Sequence, residues 1–132
     1  MKLSMKRNLL PLVALQLAAL ALVGITAPAD AHHSFAMFDT KKTSVVKGMV
    51  SKVEWRNPHV YIYVHGAEGN GETKEYTIEG GSINILSRSG WKANTVKAGE
   101  EIAISFHPML NGQPAGLLDS VTLPNGTVMK QE

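Results

Sequence analysis

"GGSINILSRSGW", residues 80–91, interrupts a chain that otherwise reads as strands. Ser82 is a helix-capping residue type, Ile83 and Leu86 fall on one helical face, and Gly90 stands where a short helix stops. A single helical turn or two is therefore expected here, and its place among the strands decides the fold.

Before it, "SVVKGMVSKVEW" (44–55) is rich in β-branched residues and has Gly48 in its interior, which predicts a long strand with a bend or bulge. "RNP" (56–58) is a turn signal. "HVYIYVH" (59–65) alternates cleanly, with Val60, Ile62 and Val64 on one face and His59, Tyr61, Tyr63 and His65 on the other. "GAEGNGE" (66–72) is a hairpin loop, and "TKEYTIEG" (73–80) a third strand. After the helix, "NTVKAGE" (94–100) turns the chain into "EIAISFH" (101–107), with Ile102, Ile104 and Phe106 inward. "PMLNGQPAG" (108–116) is a loop, "LLDSVTLPNG" (117–126) a fifth strand and a turn, and "TVMK" (127–130) a short tail. The order β-β-β-α-β-β is that of an OB-fold-like Greek-key barrel of five strands and one short helix; an unclosed sandwich of the same strands is the alternative.

The N-terminus is organised differently. Lys2, Lys6 and Arg7 precede an apolar run from Leu9 to Ile25, and Ala29, Asp30 and Ala31 follow it. This is the layout of a secretory signal peptide, cleaved after Ala31 or, as the alternative, after Ala29. The expected organisation is a leader over 1–31, an arm over 32–43 ("HHSFAMFDTKKT") and the barrel over 44–132, in the periplasm or outside the cell. The leader carries three of the 13 Lys and Arg and one of the 11 Asp and Glu, leaving ten of each. A mature domain of zero formal charge gives no electrostatic case for a nucleic-acid partner. With no second long apolar run, no stable membrane insertion is expected once the leader is removed. There is no cysteine, hence no disulfide and no thiolate metal ligand.

Several of these segments resemble one known family. "AHHSF" (31–35), "GMVSKVEWRNPHV" (48–60), "GGSINILSRSGW", "VKAGEEIAI" (96–104) and "DSVTLPNG" (119–126) are similar, in order, to a family of small exported bacterial proteins classed as a domain of unknown function. The resemblance implies that "HHSF" and "WRNPH" are signature segments; it implies no activity. A looser similarity of fold and compartment is to periplasmic OB-fold proteins such as the copper chaperone of the Cus efflux system. Its Trp/His/Met site does not map onto this chain.

Cleavage after Ala31 makes His32 the terminal residue, whose amine and ring Nδ1 chelate one ion as in a histidine brace. Nitrogen ligands in such geometry suit Cu(II). His33, His59, His65 or His107 can supply a further nitrogen, and sequence leaves that choice open. Cleavage after Ala29 would instead place His32 third, in an amine, amide and imidazole chelate for the same metal. The second constellation is "WRNPHVYIYVH" (55–65): Trp55, Asn57, His59, Tyr61, Tyr63 and His65 form a candidate surface for a small planar ligand or an envelope protein, without metal. The bland readings stand beside these. A terminal His pair can be a solvated arm, the strand an ordinary amphipathic one, and Trp55 a core or rim residue. His107 with Pro108 and Met109 offers nitrogen and sulfur; Met37, Met49 and Met109 are scattered. No catalytic motif occurs, so no enzyme is expected; a copper-dependent oxidative enzyme is the remote alternative.

Overall fold

Val46, Val50, Val60, Ile62, Val64, Ile78, Ile102, Ile104, Phe106 and Val121 each bury the side chain almost completely, and their immediate neighbours in the chain are more exposed. Period-two burial of this kind builds a sheet with one dry face, which the chain closes upon itself. The computed structural model describes residues 35–131. The expected leader and both His32 and His33 lie outside the described residues.

The elements are β1 (Ser44–Glu54), β2 (Tyr61–Glu68), β3 (Lys74–Glu79), helix α1 (Ile83–Arg88), β4 (Glu101–Pro108), β5 (Ala115–Thr122) and β6 (Val128–Lys130). Hydrogen-bonded neighbours run β3-β2-β1-β4-β5-β6, and β3 also pairs with β5 in parallel. That last pairing, Thr77 with Ala115 through Glu79 with Leu117, closes strands β1 to β5 into a barrel. The mostly β architecture with one short helix is thus OB-fold-like, and the open sandwich is set aside. The "TVMK" tail becomes the short strand β6 on β5. Among the described residues, no helix is long and apolar enough to cross a membrane.

The irregularity expected in β1 lies elsewhere than at Gly48. The register against β2 breaks between Val50 and Lys52, so Ser51 is the bulged residue. Gly48 instead sits opposite Gly66, and a Cβ on Gly48 would fall 2.6 Å from the Gly66 Cα and against the His65 carbonyl. Two glycines there let the β1 and β2 backbones approach more closely than side chains permit.

Helix α1 forms as its sequence indicates. Ser82 Oγ accepts from the Ile85 amide at 3.3 Å, capping the first turn. At the other end Gly90 takes φ +85°, Gly90 N–H donates to the Ser87 carbonyl, and Trp91 N–H to that of Leu86. These are the two bonds of a Schellman motif, and the buried Leu86 and Trp91 supply its apolar contact. The Trp91 indole donates to the Lys130 carbonyl at 2.8 Å, tying this end of the helix to β6.

The described part of the arm is docked on the barrel. Phe35–Met37 forms one 3₁₀ turn, and Phe38 bridges to Met109 beyond the end of β4. Asp39 N–H donates to the Pro108 carbonyl at 2.8 Å and Leu110 N–H to that of Met37 at 2.9 Å. Phe38 is 6 % exposed, so an aromatic ring anchors the segment to the barrel wall.

Candidate functional site

Residues directly opposite one another across strands share a face, so register alone places a row of side chains outside the barrel. Tyr61 faces Glu79, Glu79 faces Leu117, and Leu117 faces His107. The row therefore crosses β2, β3, β5 and β4, directly over the seam that closes the barrel. Above it lie the docked arm and the start of α1. Between them is a cavity of about 340 Å³, walled by Phe35, Phe38, His59, Glu79, Ile85 and Leu117 among others.

His59 stands just ahead of β2 rather than within it. Its Nδ1 lies 3.2 Å from the Gly80 carbonyl and 3.4 Å from Glu79 Oε1. Both neighbours are acceptors, so Nδ1 carries the hydrogen, and in the neutral ring Nε2 keeps its lone pair. A ring held at Nδ1 by a carbonyl and a carboxylate is the arrangement that orients histidine ligands to metals; it serves equally to orient a hydrogen-bond acceptor. His107 is tied in the same way, Nδ1 lying 2.7 Å from the Lys42 carbonyl. From Glu79 to His107 is two strand spacings, about 10 Å. Among the described residues no group of three or more His, Cys, Asp or Glu comes close enough to hold a metal ion.

Other candidates are dispersed. Asn57 Oδ1 accepts from the Ile83 amide at 3.0 Å, so its side chain holds the first turn of α1. Trp55 is half-buried at a narrow crevice with Val53, Trp91 and Val96, away from the cavity. His65 is exposed, opposite Met49 on β1 and Glu75 on β3. Tyr63 is covered by Lys52, whose Nζ sits 5.3 Å from the ring centroid. Lys52 also pairs with Glu54, and Arg56 Nη2 lies 2.7 Å from Glu54 Oε2. The hydrogen bond from Lys52, its largest cause, and the nearby Arg56 charge lower the Glu54 pKa. Ser51 Oγ donates to Glu75 at 3.0 Å. Around Tyr63 the expected aromatic strip is thus a polar network with its partners already in place. Near the cavity, burial, and then the charge of Glu79, raise the Tyr61 pKa.

A family of unknown function, DUF6152, matches residues 19–119. The chain belongs to this family. No curated protein matches the chain. Nor does any solved structure.

Sequence reasoning singled out His59 but not the cavity beside it. Two signals pointed there. Phe35 and Phe38 are aromatic residues in a segment otherwise read as an arm. Ile85 is an apolar helix residue off the Ile83/Leu86 face, left 42 % exposed at the cavity wall.

Proposed function

We propose that this chain is an exported β-barrel binding protein and that its ligand seats in the cavity between the arm, His59, Glu79 and Ile85. The single observation that carries the reading is that cavity itself. Its volume falls at the lower end of the ~300–1,000 Å³ usual for small-molecule sites. Its walls are mainly apolar, with a few polar groups converging near Glu79. This moves the ligand from the Tyr61, Tyr63 and His65 strip to the barrel seam. The test is an amide NMR titration of the mature protein with 1-hexanol as a neutral apolar probe. Saturable shifts confined to Gly80, Gly81, Ser82 and Leu117, abolished by Ile85→Lys, are expected. Shifts scattered over the barrel would refute the assignment.

One observation favours copper as a second reading. Phe35, three residues after His32, lines the same cavity as His59, whose Nε2 lone pair is free of the Gly80 and Glu79 contacts. Three residues span at most about 11 Å of chain. In this reading His32 supplies amine and ring, and His59, ahead of His33, His65 and His107, supplies the further nitrogen to Cu(II). Adding an N-terminal Gly, or His32→Ala, is then expected to weaken Cu(II) at least ~100-fold, about 2.7 kcal/mol. His59→Ala is expected to change the EPR spectrum. A peptide "HHSFAMFD" that binds as tightly as the folded protein would end the copper reading, since the barrel would then contribute no ligand.

A further inference from the structure

We infer that the cavity selects an apolar ligand ending in a primary amine over one of the same skeleton ending in a carboxylate, an inference that rests on the cavity being the ligand seat. Most hydrogen-bond donors around the cavity are already engaged by the protein itself. Gln131 Oε1 accepts from the Gly81 amide, and Gln131 Nε2 donates to the Leu118 carbonyl at 3.3 Å. Ser82 Oγ accepts from the Ile85 amide. The His59 Nδ1 hydrogen is directed at Gly80 and Glu79. Among the described residues, one Gln131 hydrogen and the His59 ring hydrogen are therefore engaged by the protein, and the Ser82 hydroxyl hydrogen and the other Gln131 Nε2 hydrogen are left over. Acceptors remain: the lone pairs of the Glu79 carboxylate that His59 and Tyr61 do not take and, in the neutral ring, His59 Nε2.

Charge points the same way. Among the described residues lining the cavity, Glu79 is the one carboxylate and none is Lys or Arg, and the Glu79 side chain is only 17 % exposed. A carboxylate entering here would meet a like charge in a half-desolvated setting, with the Ser82 hydroxyl and one Gln131 hydrogen, both uncharged donors, to receive it. An ammonium would meet a carboxylate and an imidazole lone pair, while its carbon body lies against Phe35, Phe38, Ile85 and Leu117. Charge-assisted hydrogen bonds of that kind are about twice as strong as neutral ones.

Hexylamine, 1-hexanol and hexanoate share one skeleton and differ at the head, so they separate the apolar contribution from the polar one. Titrated at pH 8 into the full mature protein and followed at the Gly80, Gly81 and Leu117 amides, the amine should bind at least ~10-fold more tightly than the alcohol, and hexanoate more weakly than either. Glu79→Gln should bring the amine down to the alcohol while leaving the alcohol within ~2-fold. Should that variant unfold, salt gives an independent readout in the unaltered protein. Raising ionic strength from low to ~1 M should weaken the amine and spare the alcohol, because screening acts on the charged pair alone. Alcohol binding without a preference for the amine would overturn the inference and leave the cavity as ligand seat. Failure of all three to bind would remove the seat as well.

Discussion

Tyr76 is buried to 4 % exposure beside Phe106, with ring centroids 5.9 Å apart, and the Glu68 carboxylate acts on its hydroxyl. Burial first, and that carboxylate second, raise its pKa above the ordinary 10. The same pair of causes, with Glu79 in place of Glu68, acts on Tyr61. A phenol whose folded pKa is raised favours the protonated, folded state. Its contribution is present in full below about pH 10 and is lost as pH rises through the folded value. Stability measured by urea at pH 8 to 11.5 should therefore fall above pH 10, and Tyr76→Phe should flatten part of that fall. An unchanged alkaline slope in the variant would show that Tyr76 does not set it. Asn57 works through geometry instead. Its Oδ1 satisfies one of the amides that a helix start leaves without a partner, that of Ile83. Asn57→Ala should cost about 1 kcal/mol in the same denaturation experiment, as loss of a helix cap does. Asn57→Asp, which keeps the acceptor, should cost less.

Among the elements, β1 carries the most information and the most unexpected detail. It pairs with β2 along one edge and β4 along the other, and it leaves β4 after Met49, just before the Ser51 bulge. Gly48→Ala sets a methyl against backbone atoms of His65 and Gly66, which cannot rotate away as a side chain can. The expected cost is at least the ~1–3 kcal/mol of ordinary overpacking, read as a drop in urea midpoint; a neutral outcome would mean that the β1–β2 approach is looser than described. The interior glycine thus announced a special place in the strand, but periodicity cannot tell a close approach from a bulge. That distinction depends on what lies opposite, and Gly66 is 18 positions away. Helix α1 was fully legible, since its cap, its buried Leu86 and its Gly90 stop are local chemistry. The alternation of β2 was legible as well, with Val60, Ile62 and Val64 all inward. His59 read as the first member of the outer face; only the fold shows it set against Glu79 and Gly80, 20 and 21 residues on. The cavity was the least legible feature, because it exists where β3 meets β5, a pairing that no local pattern encodes.

At the scale of the whole molecule, the barrel and the arm are held by different means. The barrel is closed by five strands around one apolar core, with Gly116 leaving the space that the Phe106 ring fills. Among the described residues the arm is held by the two backbone hydrogen bonds of the Phe38–Met109 bridge, the Lys42 carbonyl at His107, and Phe38. So few contacts make a unit that can open by itself, since local opening costs far less than global unfolding where few apolar contacts are broken. Phe38→Ala tests this separation. In a cooperative core such a change costs ~3–5 kcal/mol, and every slow amide would lose protection together. The arm's attachment predicts something narrower. Hydrogen exchange should accelerate at the Asp39 and Leu110 amides, whose acceptors are Pro108 and Met37, while the amides of β2 and β4 in the barrel keep their rates. The hexanol response at Leu117 should weaken in the same variant, because the cavity loses one of its two aromatic walls. Uniform loss of protection across β2 and β4 would instead make the arm an integral part of the barrel's folding unit, and the cavity a fixed feature of the core with no separable cover.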